Sequence, residues 1–156
     1  MSGDPRIERF YADHATAVQA YLIGLCRDRA LAEDLLQETF IKATRSMGGY
    51  RGGSPRSWLF AIARTTFLDH VRRRREYATS DLPDAAVHDP DVAVVHTVQQ
   101  VLASLPESQR SALILRDQLD LPYDEVAVAL GRSLGATKVL IHRARAAFRA
   151  AYEASG

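Results

Sequence analysis

Apolar residues along the 156-residue chain recur at spacings of three and four, and no stretch alternates like a half-buried strand. That period predicts an all-helical protein. A first helix is expected over Pro5 to about Leu25, capped by Asp4, with Ile7, Phe10, Tyr11, Val18, Leu22 and Leu25 along one stripe. A second is expected from about Arg29 to Arg45, capped by Asp28 and facing Leu31, Leu35, Leu36, Phe40 and Ala43 inward. The stretch Met47-Gly48-Gly49-Tyr50-Arg51-Gly52-Gly53 places four glycines around one aromatic and breaks the helix. Ser54-Pro55 restarts it, and the third helix carries Trp58, Leu59, Ile62, Ala63, Thr66 and Val71 on one side before finishing in Arg72 to Arg75.

From Glu76 to about Pro90 the periodicity disappears, and two prolines and four acidic residues take its place. Further helices are expected at about 91 to 103, 107 to 118, 123 to 130 and 134 to 152, with Ala150 to Gly156 as a short tail. The architecture this implies is all-α. Two small helical domains, residues 1–75 and 97–156, are joined by a flexible acidic linker over 76–96, and the second domain contains a helix-turn-helix.

Charge sharpens the division. Residues 1–75 hold 13 Lys+Arg against 8 Asp+Glu, residues 76–96 none against 5, and residues 97–156 hold 7 against 6, so the segments carry +5, −5 and +1. A basic front part ending in four arginines suits a polyanion, because each cation at a phosphate releases condensed counterions. Lone Cys26 has no partner for a disulfide or a metal cluster and reads as a small apolar helix residue. With no apolar run near the roughly 20 residues that span a bilayer and no signal-like start, the expectation is a cytoplasmic protein without membrane insertion. His14, His70, His88, His96 and His142 fall on separate segments, and no metal-binding, nucleophile-elbow or phosphate-cradling motif is present. No catalytic residue, metal or cofactor is therefore expected.

The most specific segment runs from Leu121 to Arg145 and reads as a helix-turn-helix. Val126, Ala127 and Leu130 pack a short helix, Gly131 supplies a left-handed exit, and Ser133 caps the next helix. In that helix Thr137, Ile141, Ala144 and Phe148 line the core side, while Lys138, His142, Arg145 and Arg149 line another. The major groove admits one helix, so Arg143 is expected at a base edge, and Lys138 and Arg145 at phosphates. Arg132, Ser133, Val139 and His142 complete the candidate surface.

Both halves resemble the two domains of the extracytoplasmic-function sigma factors of bacterial RNA polymerase. Ala32-Glu33-Asp34-Leu35-Leu36-Gln37-Glu38-Thr39-Phe40-Ile41-Lys42-Ala43 is similar to the family's region two, and Ser57 to Arg64 with Asp69, Arg72 and Arg73 to the helix after it. Leu105-Pro106 with Arg110, Ala112, Leu113 and Arg116 resembles the start of region four. The resemblance implies docking of the second helix on the clamp helices of the polymerase's largest subunit, through Asp34, Leu36, Gln37, Glu38 and Phe40. For Leu36 and Phe40, plain core packing stands as the alternative. It also implies that the front domain holds melted minus-ten bases, with Gly48, Gly49, Tyr50 and Arg51 as a pocket wall and Arg64, Thr65, His70, Arg72 and Arg73 along the strand. A four-glycine loop can equally be a simple turn, and Trp58 reads as core. The rear domain is expected at the minus-thirty-five duplex and the flap of the second-largest subunit, and an anti-sigma factor is expected as a regulator.

Two departures stand out. Thr65 replaces the asparagine common in the family, and Val139-Leu140 replaces its usual Ser-Arg. The second change leaves three possibilities: contact with a thymine methyl, weaker duplex binding, or a surface for a protein partner. The alternative function is a two-domain regulator that binds operators without polymerase.

Overall fold

A computed structural model describes residues 4–78 and 97–155. Among them lie seven α-helices: α1 (Pro5–Cys26), α2 (Arg29–Arg45), α3 (Pro55–Ala78), α4 (Thr97–Ser104), α5 (Glu107–Leu113), α6 (Tyr123–Leu130) and α7 (Leu134–Ser155). A 3-10 turn, Met47–Gly49, follows α2, and a π turn, Ile114–Gln118, extends α5. No strand occurs among the described residues, as the apolar period requires.

Capping chemistry sets the first two starts where the sequence placed them. The Arg6 amide donates to Asp4 Oδ1 at 2.9 Å, and the Leu31 amide donates to Asp28 Oδ1 at 3.1 Å, satisfying donors that a helix N-terminus leaves open. Two boundaries differ. Helix α3 continues past the arginine block to Ala78, and α7 runs to Ser155, so most of the expected tail is helical. The fourth helix is described from Thr97, and its expected residues 91–96 lie outside the described ones, as does the linker from 79 to 96.

Helices α1, α2 and α3 pack around Val18, Leu22, Leu35, Leu59, Phe60 and Ala63, each nearly or wholly buried. Burial of a side chain such as Leu59 or Phe60 contributes about 1.5–3 kcal/mol. The inward face of α3 is shifted from expectation: Phe60 and Phe67 are buried, while Trp58, Ile62 and Val71 are half-buried at its edge. Tyr11 is exposed rather than part of the α1 stripe, its ring edge-on to Phe40 at 4.9 Å.

The front and rear modules share one apolar core, which the sequence left open. Fully buried Tyr21 on α1 meets Phe60 edge-on at 5.4 Å and shares a 2.8 Å hydrogen bond with Ser111 on α5. Ser111 donates to Glu107 Oε2 at 2.6 Å, and Arg64 of α3 grips the same carboxylate through Nε at 2.7 Å and Nη2 at 2.8 Å. Arg110 reaches back to the Leu25 carbonyl at 2.8 Å, placing a cation at the negative end of α1. Gly24 lies against the π turn so closely that a Cβ there would sit 2.8 Å from Ile114 Cδ1. A second seam joins α6 to the start of α3, where Glu125 accepts from Arg56 at 2.6 Å and Ser54 at 3.0 Å.

Burial pushes the Glu107 carboxyl up, but hydrogen bonds from Arg64 and Ser111 outweigh burial and hold it below the usual carboxylate range. A carboxylate depressed on folding stabilises the fold fully above its unfolded value, about 4.3, and loses that contribution as pH falls through the lower folded value. Glu107→Gln is expected to lower stability at pH 7 by about 3 kcal/mol and to remove part of the acid-side decline. Urea unfolding at pH 7 and pH 4 checks both, and an unchanged acid limb would count against this role for Glu107.

Candidate nucleic-acid interface

Helix α6 ends at Gly131, whose φ of 66° is left-handed, and the Arg132 amide closes the turn on the Ala127 carbonyl at 3.0 Å. Ser133 Oγ accepts from the Ala136 amide at 3.1 Å, which starts α7. Thr137, Ile141 and Ala144 are buried, so the helix is fixed in rotation. Arg132, Ser133, Lys138, Val139, His142 and Arg143 are left exposed. Of the expected set, Arg145 goes elsewhere: its guanidinium holds Asp117 at 2.6 and 3.0 Å, tying α7 to the π turn. Beside that pair, Val98, Leu102, Leu113, Phe148 and Tyr152 line an apolar groove of about 470 Å³.

On the front module, a cleft of about 420 Å³ opens between the end of α2 and the outer face of α3. Lys42, Arg45 and Ser46 form one wall, and Trp58, Ala61, Ile62 and Thr65 form the other. Thr65 is the one member expected along the strand, and its hydroxyl is turned to the Ala61 carbonyl at 3.0 Å. The signal for the rest was present: Trp58, Ala61, Ile62 and Thr65 recur at three and four on a face of α3 that the buried stripe does not use.

The glycine loop sits beside this cleft. Gly48 and Gly49 form the exposed 3-10 turn, and Arg51 is exposed after it. Tyr50 packs edge-on against Phe10 at 5.4 Å and tilted against Trp58 at 5.1 Å, while its hydroxyl donates to the Gly53 carbonyl at 2.7 Å. It braces the loop in this arrangement and does not project as an open stacking platform. Arg64 faces away from the cleft, towards Glu107. His70 is half-buried, and its Nε2 finds no hydrogen-bond partner among the described residues. Arg72 and Arg73 are exposed and reach Asp69 at 3.4 Å and Glu38 at 3.6 Å, distances that leave both free to exchange partners. The strand-binding set inferred from the sequence is thus brought together only in part.

Along α2, Asp34 and Gln37 are exposed, Glu38 is half-buried, and Ile41 is 51% exposed at the next position of the same strip. Leu36 and Phe40 are core residues, 6% and 8% exposed, so packing claims them and they are not open anchors. Ile41, and Tyr11 at 50% with its ring against Phe40, supply exposed apolar area.

Residues 10–77 match the family Sigma-70 region 2, and residues 96–148 match Sigma-70, region 4. The chain is 34% identical to the ECF RNA polymerase sigma factor SigE of Mycolicibacterium smegmatis, over 93% of this chain and 61% of SigE. It is 32% identical to SigM of Bacillus subtilis, over 94% of each. Its fold superposes on the sigma factor RpoE of Bartonella quintana, solved in complex with the anti-sigma factor NepR, with a TM-score of 0.78, 26% identity and coverage of 96% of this chain and 98% of that one. Among the described residues, no helix is long and apolar enough to cross a membrane. With both sigma regions matched in order and a relative aligned along nearly its whole length, this chain belongs to the extracytoplasmic-function sigma factors, which direct RNA polymerase in transcription initiation.

Proposed function

We propose that the two modules divide this task between the promoter elements. The strip Asp34, Gln37, Glu38 and Ile41 docks on the clamp helices of the largest subunit, with acidic groups for its cations and Ile41 as apolar anchor. The cleft between α2 and α3 receives an unstacked minus-ten base: Lys42 and Arg45 offer cations at its rim, and Trp58 and Ile62 offer an apolar wall. Exposed Arg51, Arg72 and Arg73 hold the strand's phosphates. The rear module reads the minus-thirty-five duplex through α7, and its apolar groove takes the flap of the second-largest subunit. An anti-sigma factor is the regulator this reading expects, and the RpoE–NepR likeness supports it.

The observation that carries the reading is the outward face of α7. Lys138, His142 and Arg143 are exposed and make no hydrogen bond or ion pair among the described residues, although the opposite face of the same helix is buried. Solvated cations on a rotationally fixed helix after a helix-turn-helix turn are what a phosphate-lined groove requires.

Geometry adds a constraint. The two promoter elements lie about 25 base pairs apart, roughly 85 Å at 3.4 Å per pair. A packed chain of 156 residues has a radius of gyration of about 15 Å. The packed arrangement therefore cannot touch both elements, and engagement requires both seams to part, the one at Tyr21, Arg64, Glu107 and Gly24 and the one at Glu125. Parting also frees Arg64 for the strand.

Run-off transcription with purified core enzyme tests the division. Arg143→Ala is expected to lose minus-thirty-five preference while core binding is retained, and Glu38→Arg to do the reverse; equal defects in both assays would refute it. Urea unfolding separates the two arginines of α7: Arg145→Ala costs about 1 kcal/mol through loss of the Asp117 pair, whereas Arg143→Ala stays within about 0.5 kcal/mol. Gly24→Leu, which wedges the seam at Ile114, is expected to tighten core binding about tenfold. Weaker binding by a variant with native helicity would contradict the opening step.

A further inference from the structure

Val139 stands at the part of α7 farthest from the protein's interior. Thr137, Ile141 and Ala144 face inward, and at 3.6 residues per turn Val139 points about 170° from their mean direction. It is 49% exposed, and nothing in the core needs it. The turn before it is slim: Gly135 and Ala136 are both exposed, and a Cβ added at Gly135 would meet nothing within 4 Å. Neither a positive φ nor a close intramolecular neighbour calls for glycine there, and glycine weakens a helix relative to alanine. What the small residues do provide is close approach of the helix to whatever lies outside it.

A valine has no donor or acceptor with which to read the hydrogen-bonding edge of a base pair. The apolar feature of the major groove is the thymine C5-methyl group. We infer that Val139 is a specificity-determining residue that reads a thymine methyl in the minus-thirty-five element, the slim Gly135-Ala136 turn letting it reach the groove floor. Lys138, His142 and Arg143 around it supply phosphate and base-edge contacts. This rests on the reading that the rear module binds that duplex, and it selects one of the three consequences left open when Val139 was read from sequence. A protein partner covering the same valine is the competing outcome.

The test uses holoenzyme assembled from the full chain and core enzyme. Promoters are selected from a random minus-thirty-five library, and each thymine of the winning element is replaced singly by deoxyuridine, which keeps the pairing and O4 but lacks the methyl. Wild-type holoenzyme is expected to bind about fourfold more weakly when one particular thymine is replaced, the worth of one buried methyl-sized group. Val139→Ser is expected to lose a similar factor on the parent promoter and to be indifferent to deoxyuridine at that position, while Arg143→Ala keeps the sensitivity. A flat deoxyuridine scan alongside clear dependence on other minus-thirty-five bases overturns the assignment. Undiminished sensitivity in Val139→Ser, with native helicity, overturns it as well. Absence of any minus-thirty-five dependence removes the underlying duplex reading and the assignment together.

Discussion

The two halves of this protein are joined through a network centred on one carboxylate, Glu107, with Glu125 forming a second seam. Glu107 accepts from Arg64 of the front module and Ser111 of its own helix, and Ser111 in turn meets the buried hydroxyl of Tyr21. Each member satisfies a group that would be costly to bury alone, so the set is formed together or lost together. Arg64 and Glu107 retain only 20% side-chain exposure and meet through two short bonds, so removing either partner costs more than at the looser ion pairs among Glu38, Lys42, Asp69, Arg72 and Arg73. Pairs that hold the packed form are short, 2.6 to 2.8 Å, whereas those on the cation-rich face are longer, 3.4 to 3.6 Å, and more open to solvent.

Much of this was legible from the sequence, for local reasons. Asp4, Asp28, Gly131 and Ser133 act within one turn of themselves, so the helix starts and the helix-turn-helix exit followed from residue type and spacing alone. The run of four arginines misled at the end of α3, because composition changes there while the helix continues to Ala78. Leu36 and Phe40 could not be sorted between core and docking surface by period, since an apolar residue serves either; burial decides for the core and exposes Ile41 instead.

Contacts between distant segments were not legible. Nothing near Arg64 announces a partner 43 positions away, and nothing near Arg145 announces Asp117 across the groove. A cation read as a phosphate ligand by type was in both cases claimed by a carboxylate that only the fold brings close. The cleft between α2 and α3 escaped for a related reason: its walls come from two helices, and each wall alone looks like an ordinary half-buried face. Thr65 and Val139, where the chain departs from the family pattern, both lie on open surfaces, where packing does not dictate the residue.

The central claim is that the modules packed against each other in this structure must separate to work. Pulsed electron-spin distance measurement between labels at Ala20→Cys on α1 and Ala146→Cys on α7, both exposed positions, in a Cys26→Ser background addresses it directly. The account predicts one short, narrow distribution in the free protein and a distance longer by several tens of ångströms in the promoter-bound holoenzyme, in keeping with roughly 85 Å between the elements. The same short distribution in both states would contradict it.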